Sequence, residues 1–279
     1  MAAAAKQIFS PSTYQDLFNL WSQYPGAIPY AGGTGITRNQ EKNSINILSL
    51  DKINELKRIT RTERYLEIGA MVRLSEIINL GKIVPAILNK TLEGIASLQI
   101  RNMATIGGNL CERLDACAPM AALEAHLELR SSGSTRWISG SRFYDSSSFH
   151  MGPNELLTRI RIPLDQWNYS LYRKFKSPLI DESEGVMIFI LKNQKSILTD
   201  LKIVYSGSIL LHNRQSESAL IGKRLPLDRK DALNFHESWN NYLETLKDVE
   251  KANWKNENKE LLKAQILNFI DDAFLGISD

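Results

Sequence analysis

Two pairs of adjacent glycines constrain this chain more than any other feature. One lies in "AGGTG" at Ala31–Gly35 and the other in "TIGGNL" at Thr105–Leu110. Glycine inside a regular element costs roughly 0.5–1 kcal/mol, so a glycine pair marks backbone that must turn sharply or be approached closely. Each pair is flanked by apolar, strand-like residues, and the two together suggest one large ligand held by two loops. Consecutive backbone N–H groups without side chains in front of them bind anions. A pyrophosphate is the natural two-ended anion for such a pair. The hydroxyls of Thr34 and Thr105 would add donors, and Asn109 would meet a polar edge of the ligand.

Neither motif is a standard nucleotide signature. "AGGTG" lacks the Lys-Ser/Thr of a Walker A loop, and G-x-G-x-x-G is absent. The four histidines, His126, His150, His212 and His236, are not at metal-ligand spacing, and no G-x-S-x-G elbow occurs. No carboxylate pair stands out for acid/base work. The expectation is a cofactor holder, without a metal site, whose cofactor supplies the chemistry.

Composition narrows the partners. Lys and Arg number 34 against 31 Asp and Glu, a net charge of +3, which argues for neither nucleic acid nor a membrane surface. No stretch approaches ~18 consecutive apolar residues, and the start of the chain lacks a basic leader followed by an apolar core. A cytoplasmic protein is expected. The two cysteines, Cys111 and Cys117, are too few for an iron–sulfur cluster of its own. They read as reduced thiols near a loop; the alternative puts Cys111 beside a redox cofactor.

Periodicity predicts a helix in "PSTYQDLFNLWSQY", strands in "AIPYAGG" and "SINILSL", and mostly helix in "RLSEIINLGKIVPAILNKTLEGIA". "NMATIGGNL" reads as a strand-like run broken by glycine, "CAPMAALEAHLELRSS" as a helix passing into a strand, and "STRWISGSRFY" and "NELLTRIRIPL" as strands. Further on, "NYSLYRKFKS", "GVMIFILKNQ", "ILTDLKIVYSGSILL" and the segment before "GKRLPL" read as hairpin-spaced strands. Two amphipathic helices follow, in "RKDALNFHESWNNYLETLKDV" and "NKELLKAQILNFIDDAFLG". The expected fold is α+β, with domains 1–165 and 166–279.

"AGGTG", "IASLQIRNMATIGGNLC", "NELLTRIRIPL", "YRKF" and "LIGKRLPL", in that order and spacing, resemble the FAD-binding medium subunit of the molybdenum hydroxylases, of the xanthine dehydrogenase and carbon monoxide dehydrogenase type. The resemblance implies a PCMH-type FAD-binding domain of two α/β subdomains, followed by a C-terminal α+β domain of antiparallel sheet and helices. It implies that Pro29, Tyr30, Ala31, Gly32, Gly33, Thr34, Gly35 and Ile36 wrap the FAD pyrophosphate and ribityl. Thr105, Gly107, Gly108 and Asn109 would form a second cradle, Ile95 would pack against the flavin or adenine, and Asp115 would hold a ligand hydroxyl. Leu157 would meet the adenine side through its backbone, and Lys174 would reach the flavin ring or phosphate.

The same resemblance implies an electron-transfer role with two partners, a molybdopterin-binding large subunit and a [2Fe–2S] small subunit, and with NAD⁺ as a common acceptor. The alternative is a degenerate, flavin-free subunit acting in assembly or interaction.

Overall fold

The computed structural model describes residues 7–35, 46–144, 150–176, 183–207, 209–245 and 256–275. Ile36, named above as a ligand contact, lies outside them. The chain divides into two compact units, Met1–Leu164 and Asp165–Asp279.

The first unit opens with β1 (Ile8–Phe9), α1 (Tyr14–Gln23), β2 (Ile28–Tyr30) and β3 (Ile47–Ser49), which form a parallel sheet in the order β1-β3-β2. Thr13 starts α1 by accepting a hydrogen bond from the Asp16 N–H, and Leu17, Phe18 and Trp21 form its buried face. Next come β4 (Ile59–Arg61), β5 (Tyr65–Gly69), α2 (Leu74–Asn79), α3 (Ala86–Glu93), α4 (Leu98–Arg101), α5 (Ile106–Cys111) and α6 (Cys117–Ala122). The unit ends with β6 (His126–Arg130), β7 (Thr135–Ser139), α7 (Gly140–Phe143) and β8 (Leu156–Pro163).

Strands β4-β5-β8-β6-β7 form a five-stranded antiparallel sheet. From Thr158 on, β8 alternates: Ile160 and Ile162 are buried, whereas Arg159 and Arg161 stand partly exposed, facing Glu67, the buried Glu128 and Trp137. Arg159 bridges Glu67 and Glu128, and the Arg161 guanidinium lies 4.3 Å from the centre of the Trp137 ring. Burial pushes the Glu128 carboxyl up, but hydrogen bonds from Thr158 and Arg159 outweigh it and hold it below the usual range.

Two expectations fail outright, here and farther along, and the strand expected across "STRWISGSRFY" stops at Ser139, where the Ser139 hydroxyl caps helix α7. "NMATIGGNL" is not a strand, because its glycines lie in the first turn of α5. The segment before "GKRLPL" is not a strand either; it is α8 (Arg214–Leu220), started by the Asn213 side chain accepting from the Ser216 N–H.

The second unit comprises β9 (Tyr169–Lys176), β10 (Ser183–Gln194), β11 (Ile197–Gly207), β12 (Leu210–His212), α8, α9 (Arg229–Thr245) and α10 (Asn256–Leu275). Its antiparallel sheet runs β12-β11-β10-β9. Met187, Phe189 and Leu191 of β10 and Leu201, Ile203 and Tyr205 of β11 share a core with Phe235 and Trp239 of α9 and with Ile266, Phe269 and Ile270 of α10. Burying each such side chain contributes about 1.5–3 kcal/mol, so this face is the main stabiliser of the unit.

Candidate functional site

The first glycine motif continues from β2. Tyr30 ends the strand, and its phenolic oxygen lies 2.2 Å from where a Gly33 Cβ would stand; Gly33 has φ +75°, the left-handed region that favours glycine. The turn does not stand alone. A Cβ on Gly32 would be 1.9 Å from the Met103 carbonyl oxygen, so the backbone of the first motif lies directly on the residues that lead into the second. At Gly35 a Cβ would meet the Glu112 side chain at 3.2 Å, just past the end of α5. The fold thus brings Gly32 and Gly35 against the two ends of the second motif.

The second motif is built differently. Thr105 caps α5, its hydroxyl accepting from the Gly108 N–H at 3.1 Å. The Ile106 N–H donates to the Val72 carbonyl and the Gly107 N–H to the Ala70 carbonyl, each at 2.9 Å. The Asn109 N–H donates to the Thr105 carbonyl. These four N–H groups are therefore all paired within the protein, which corrects the expectation that this motif offers a bare array of donors. Asn109 is likewise engaged: its side-chain oxygen accepts from the Ala116 N–H at 3.0 Å, and its carbonyl accepts from Leu114. It braces the loop that carries Asp115.

Space explains most of the glycines without a ligand. Gly107 has Ala70 2.7 Å from its would-be Cβ, at both the methyl and the carbonyl oxygen. Gly108 differs, because a Cβ there would meet only the capping Thr105 hydroxyl at 3.1 Å. Gly35 and Gly108 are the glycines of the two motifs that no neighbouring backbone and no backbone angle demands. They are the positions left for something to approach, and in this sense the cradle fits a cofactor.

The remaining expected residues are placed as follows. Ile95 is buried, in a turn where Ala96 has φ +45° and the Arg101 guanidinium donates to the Glu93, Ile95 and Ala96 carbonyls. Leu157 is buried in β8, paired with Leu129 of β6 next to a bulge. Lys174 belongs to the second unit, in β9 opposite Val186. Sequence reasoning missed Arg101 and Met103. Arg101 reaches carbonyls five, six and eight residues back, a pattern with no period, and Met103 acts through its backbone, which its identity does not reveal.

Of the two thiols after the second motif, Cys117 is buried and Cys111 partly so. Burial pushes the Cys111 thiol up to about 12, with the charge of Glu112 adding to it. Burial pushes Cys117 up as well. Neither has the depressed pKa of a reactive cysteine. Among the described residues no three His, Cys, Asp or Glu side chains are grouped to hold a metal, and no helix is long and apolar enough to cross a membrane.

Residues 4–165 match the family described as the FAD binding domain in molybdopterin dehydrogenase. The nicotinate dehydrogenase FAD-subunit of Eubacterium barkeri is 28% identical over 247 residues, 81% of this chain and 83% of that one. Xanthine dehydrogenase 1 of Arabidopsis thaliana is 29% identical over 265 residues, 82% of this chain. The match spans only 19% of that protein, and between 17% and 18% of the aldehyde oxidase 2 chains of Cavia porcellus and Macaca fascicularis. In solved structures, quinoline 2-oxidoreductase from Pseudomonas putida 86 superposes with a TM-score of 0.81 at 21% identity, covering 100% of both chains. The Cu,Mo-CO dehydrogenase superposes at 0.80 with 23% identity over 99% of each chain. The α+β, PCMH-type fold expected from the resemblance is therefore the fold of this chain. With a match over more than half its length and the two motifs folded together inside it, the chain belongs to the family of FAD-binding domains of the molybdopterin dehydrogenases.

Proposed function

We propose that this chain is the electron-transfer subunit of a cytoplasmic molybdopterin-dependent hydroxylase, holding FAD across its two glycine motifs. Residues 1–165 form the PCMH-type domain and 166–279 the C-terminal domain of the same subunit. Electrons arrive from [2Fe–2S] clusters of a small partner subunit, after substrate has reacted at a molybdopterin in a large one. They leave to an acceptor such as NAD⁺. FAD, when bound, supplies the exchange between single electrons and an electron pair.

The observation that carries this reading is the seating of Gly32 on the Met103 carbonyl, which makes one cradle of two loops far apart in sequence. Pro29, Tyr30 and Ala31 lead the chain into the cradle, and Gly33, Thr34 and Gly35 bend it around the pyrophosphate. Thr105 and Gly107 fix the opposite wall, while Gly108 leaves that wall open to the ligand. Asn109 holds the Asp115 loop, from which Asp115 meets a ligand hydroxyl. Ile95 and the Leu157 backbone cover the aromatic ends; Lys174 is a flavin contact only as the resemblance implies. The relatives named as FAD subunits support the cofactor. The chain's own two cysteines, with raised thiol pKa values, support the need for separate cluster-bearing partners.

A second reading, a flavin-free assembly subunit, is favoured by the internal pairing of the N–H groups of residues 106–109. An absorbance spectrum of the purified protein, with identification of any flavin released by heat, separates the two. Bands near ~370 and ~450 nm from released FAD are expected if a bound cofactor carries the chemistry. A colourless protein that also takes up no added FAD would favour the second reading. Gly108→Ala is the matched variant: it is expected to fold normally, since alanine suits a helix and meets no backbone, and to lose most of its flavin.

A further inference from the structure

The turn at Glu93–Ser97 is held by an arginine that neither the family description nor the cofactor reading assigns. Arg101 Nη1 lies 3.0, 2.9 and 2.7 Å from the carbonyl oxygens of Glu93, Ile95 and Ala96. Ala96 has φ +45°, a left-handed conformation that a side chain disfavours and that surrounding contacts must maintain. The Nε of the same guanidinium is covered from solvent and makes no hydrogen bond, so the group accepts a local penalty while holding the turn.

The other end of the segment leads to the cradle. Ser97 caps α4, the Ala104 N–H donates to the Ile100 carbonyl at 2.7 Å, and the Ala104 carbonyl accepts from Leu74. Met103, between them, carries the carbonyl on which Gly32 lies. One short, internally braced segment therefore has Ile95 at its start and the support of the first glycine motif at its end, with Arg101 fastening the two.

We propose that Arg101 is the positioning residue of the cofactor site, setting the distance between the wall at Ile95 and the floor at Met103–Ala104. It touches no reacting atom; it acts through the three carbonyls. A shorter or neutral side chain releases the turn, Ala96 relaxes, and the wall no longer faces the floor at one spacing.

The proposal rests on the FAD reading, and the test separates the two. The full chain and its Arg101→Lys and Arg101→Met variants are stripped of flavin, and FAD affinity is measured by quenching of flavin fluorescence. The visible circular dichroism of the bound flavin and the thermal midpoint of the flavin-free proteins are recorded alongside. The expected result is a loss of affinity of roughly tenfold or more in Arg101→Met, as expected when hydrogen bonds to a charged group are broken, with Arg101→Lys between it and wild type. The flavin dichroism would change shape, and the affinity loss would persist at a temperature where every flavin-free variant is fully folded, although breaking hydrogen bonds inside the protein lowers the Arg101→Met midpoint. Equal affinity and an unchanged dichroism in Arg101→Met would overturn the proposal. So would an affinity loss seen only at temperatures where the flavin-free variant has begun to unfold. Wild-type protein that binds no FAD would overturn the cofactor reading itself, and this proposal with it, before any variant is compared.

Discussion

The two glycine motifs look alike as letters and differ as structures. In Ala31–Gly35 the glycines make a turn, with Gly33 left-handed and Gly32 pressed on another segment's backbone. In Thr105–Asn109 they sit in the first turn of a capped helix, and the N–H groups that seemed available for a ligand are paired with Val72, Ala70 and Thr105. The first motif is shaped from outside by what it lies on; the second is shaped by its own cap and by the strand it packs against. A glycine pair in a sequence thus says that space is short, but not what occupies the space.

The largest test of that contrast is Gly32→Ala. The new methyl would fall 1.9 Å from the Met103 carbonyl oxygen, and backbone must move to admit it. A loss of about 3 kcal/mol is expected in urea unfolding, at the upper end for overpacking. Retention of full stability would break the claim that the first motif is seated on the second. Gly107→Ala places its methyl 2.7 Å from both the Ala70 methyl and carbonyl oxygen, and about 2 kcal/mol is expected to be lost. Gly108→Ala, one residue on, is expected to change stability by less than about 0.5 kcal/mol, since a small helix-propensity gain offsets a mild contact with Thr105. If adjacent glycines behaved alike, the separation of packing from ligand approach would be wrong.

The smallest effect concerns the thiols behind the second motif. Folding raises Cys111 from 9.0 to about 12, so the native state binds a proton there that the unfolded chain releases first. Its contribution to stability is complete below about pH 9 and is lost as the pH climbs toward 12. At pH 8 a thiol reagent is expected to leave the buried Cys117 unmodified until denaturant is added. Rapid labelling of Cys117 in the native protein would show that the helix and its loop open.

Much of the fold was legible because burial and periodicity coincide. β8 alternates from Thr158 on, as its sequence promised, and Phe235, Trp239 and Leu243 recur along α9 on one buried face. What failed were the short helices. α5 contains two glycines and has six residues, so its sequence carries little helical preference; Thr105 and the buried Ile106 and Leu110 make it helical. α8 has Ser216, Glu217 and Leu220 buried, and Glu217 accepts from the Ile203 N–H and the buried His212 ring. No reading of "RQSESAL" alone shows that its glutamate is an internal brace. At the site, the motifs were visible as letters. Arg101 and the Met103 carbonyl were not, because one acts without period and the other without its side chain.

The seating of Gly32 on Met103 also dictates an order of events in the newborn chain. The first glycine loop leaves the ribosome long before the residues it rests on, and nothing holds its shape until Met103 and Ala104 have been made. Contacts between distant segments form late, because the entropy of closing the intervening chain must be met before they give anything back. The first loop therefore takes its shape only after the chain has been made past Met103 and Ala104. Before that point the first glycine turn has no partner backbone to rest on.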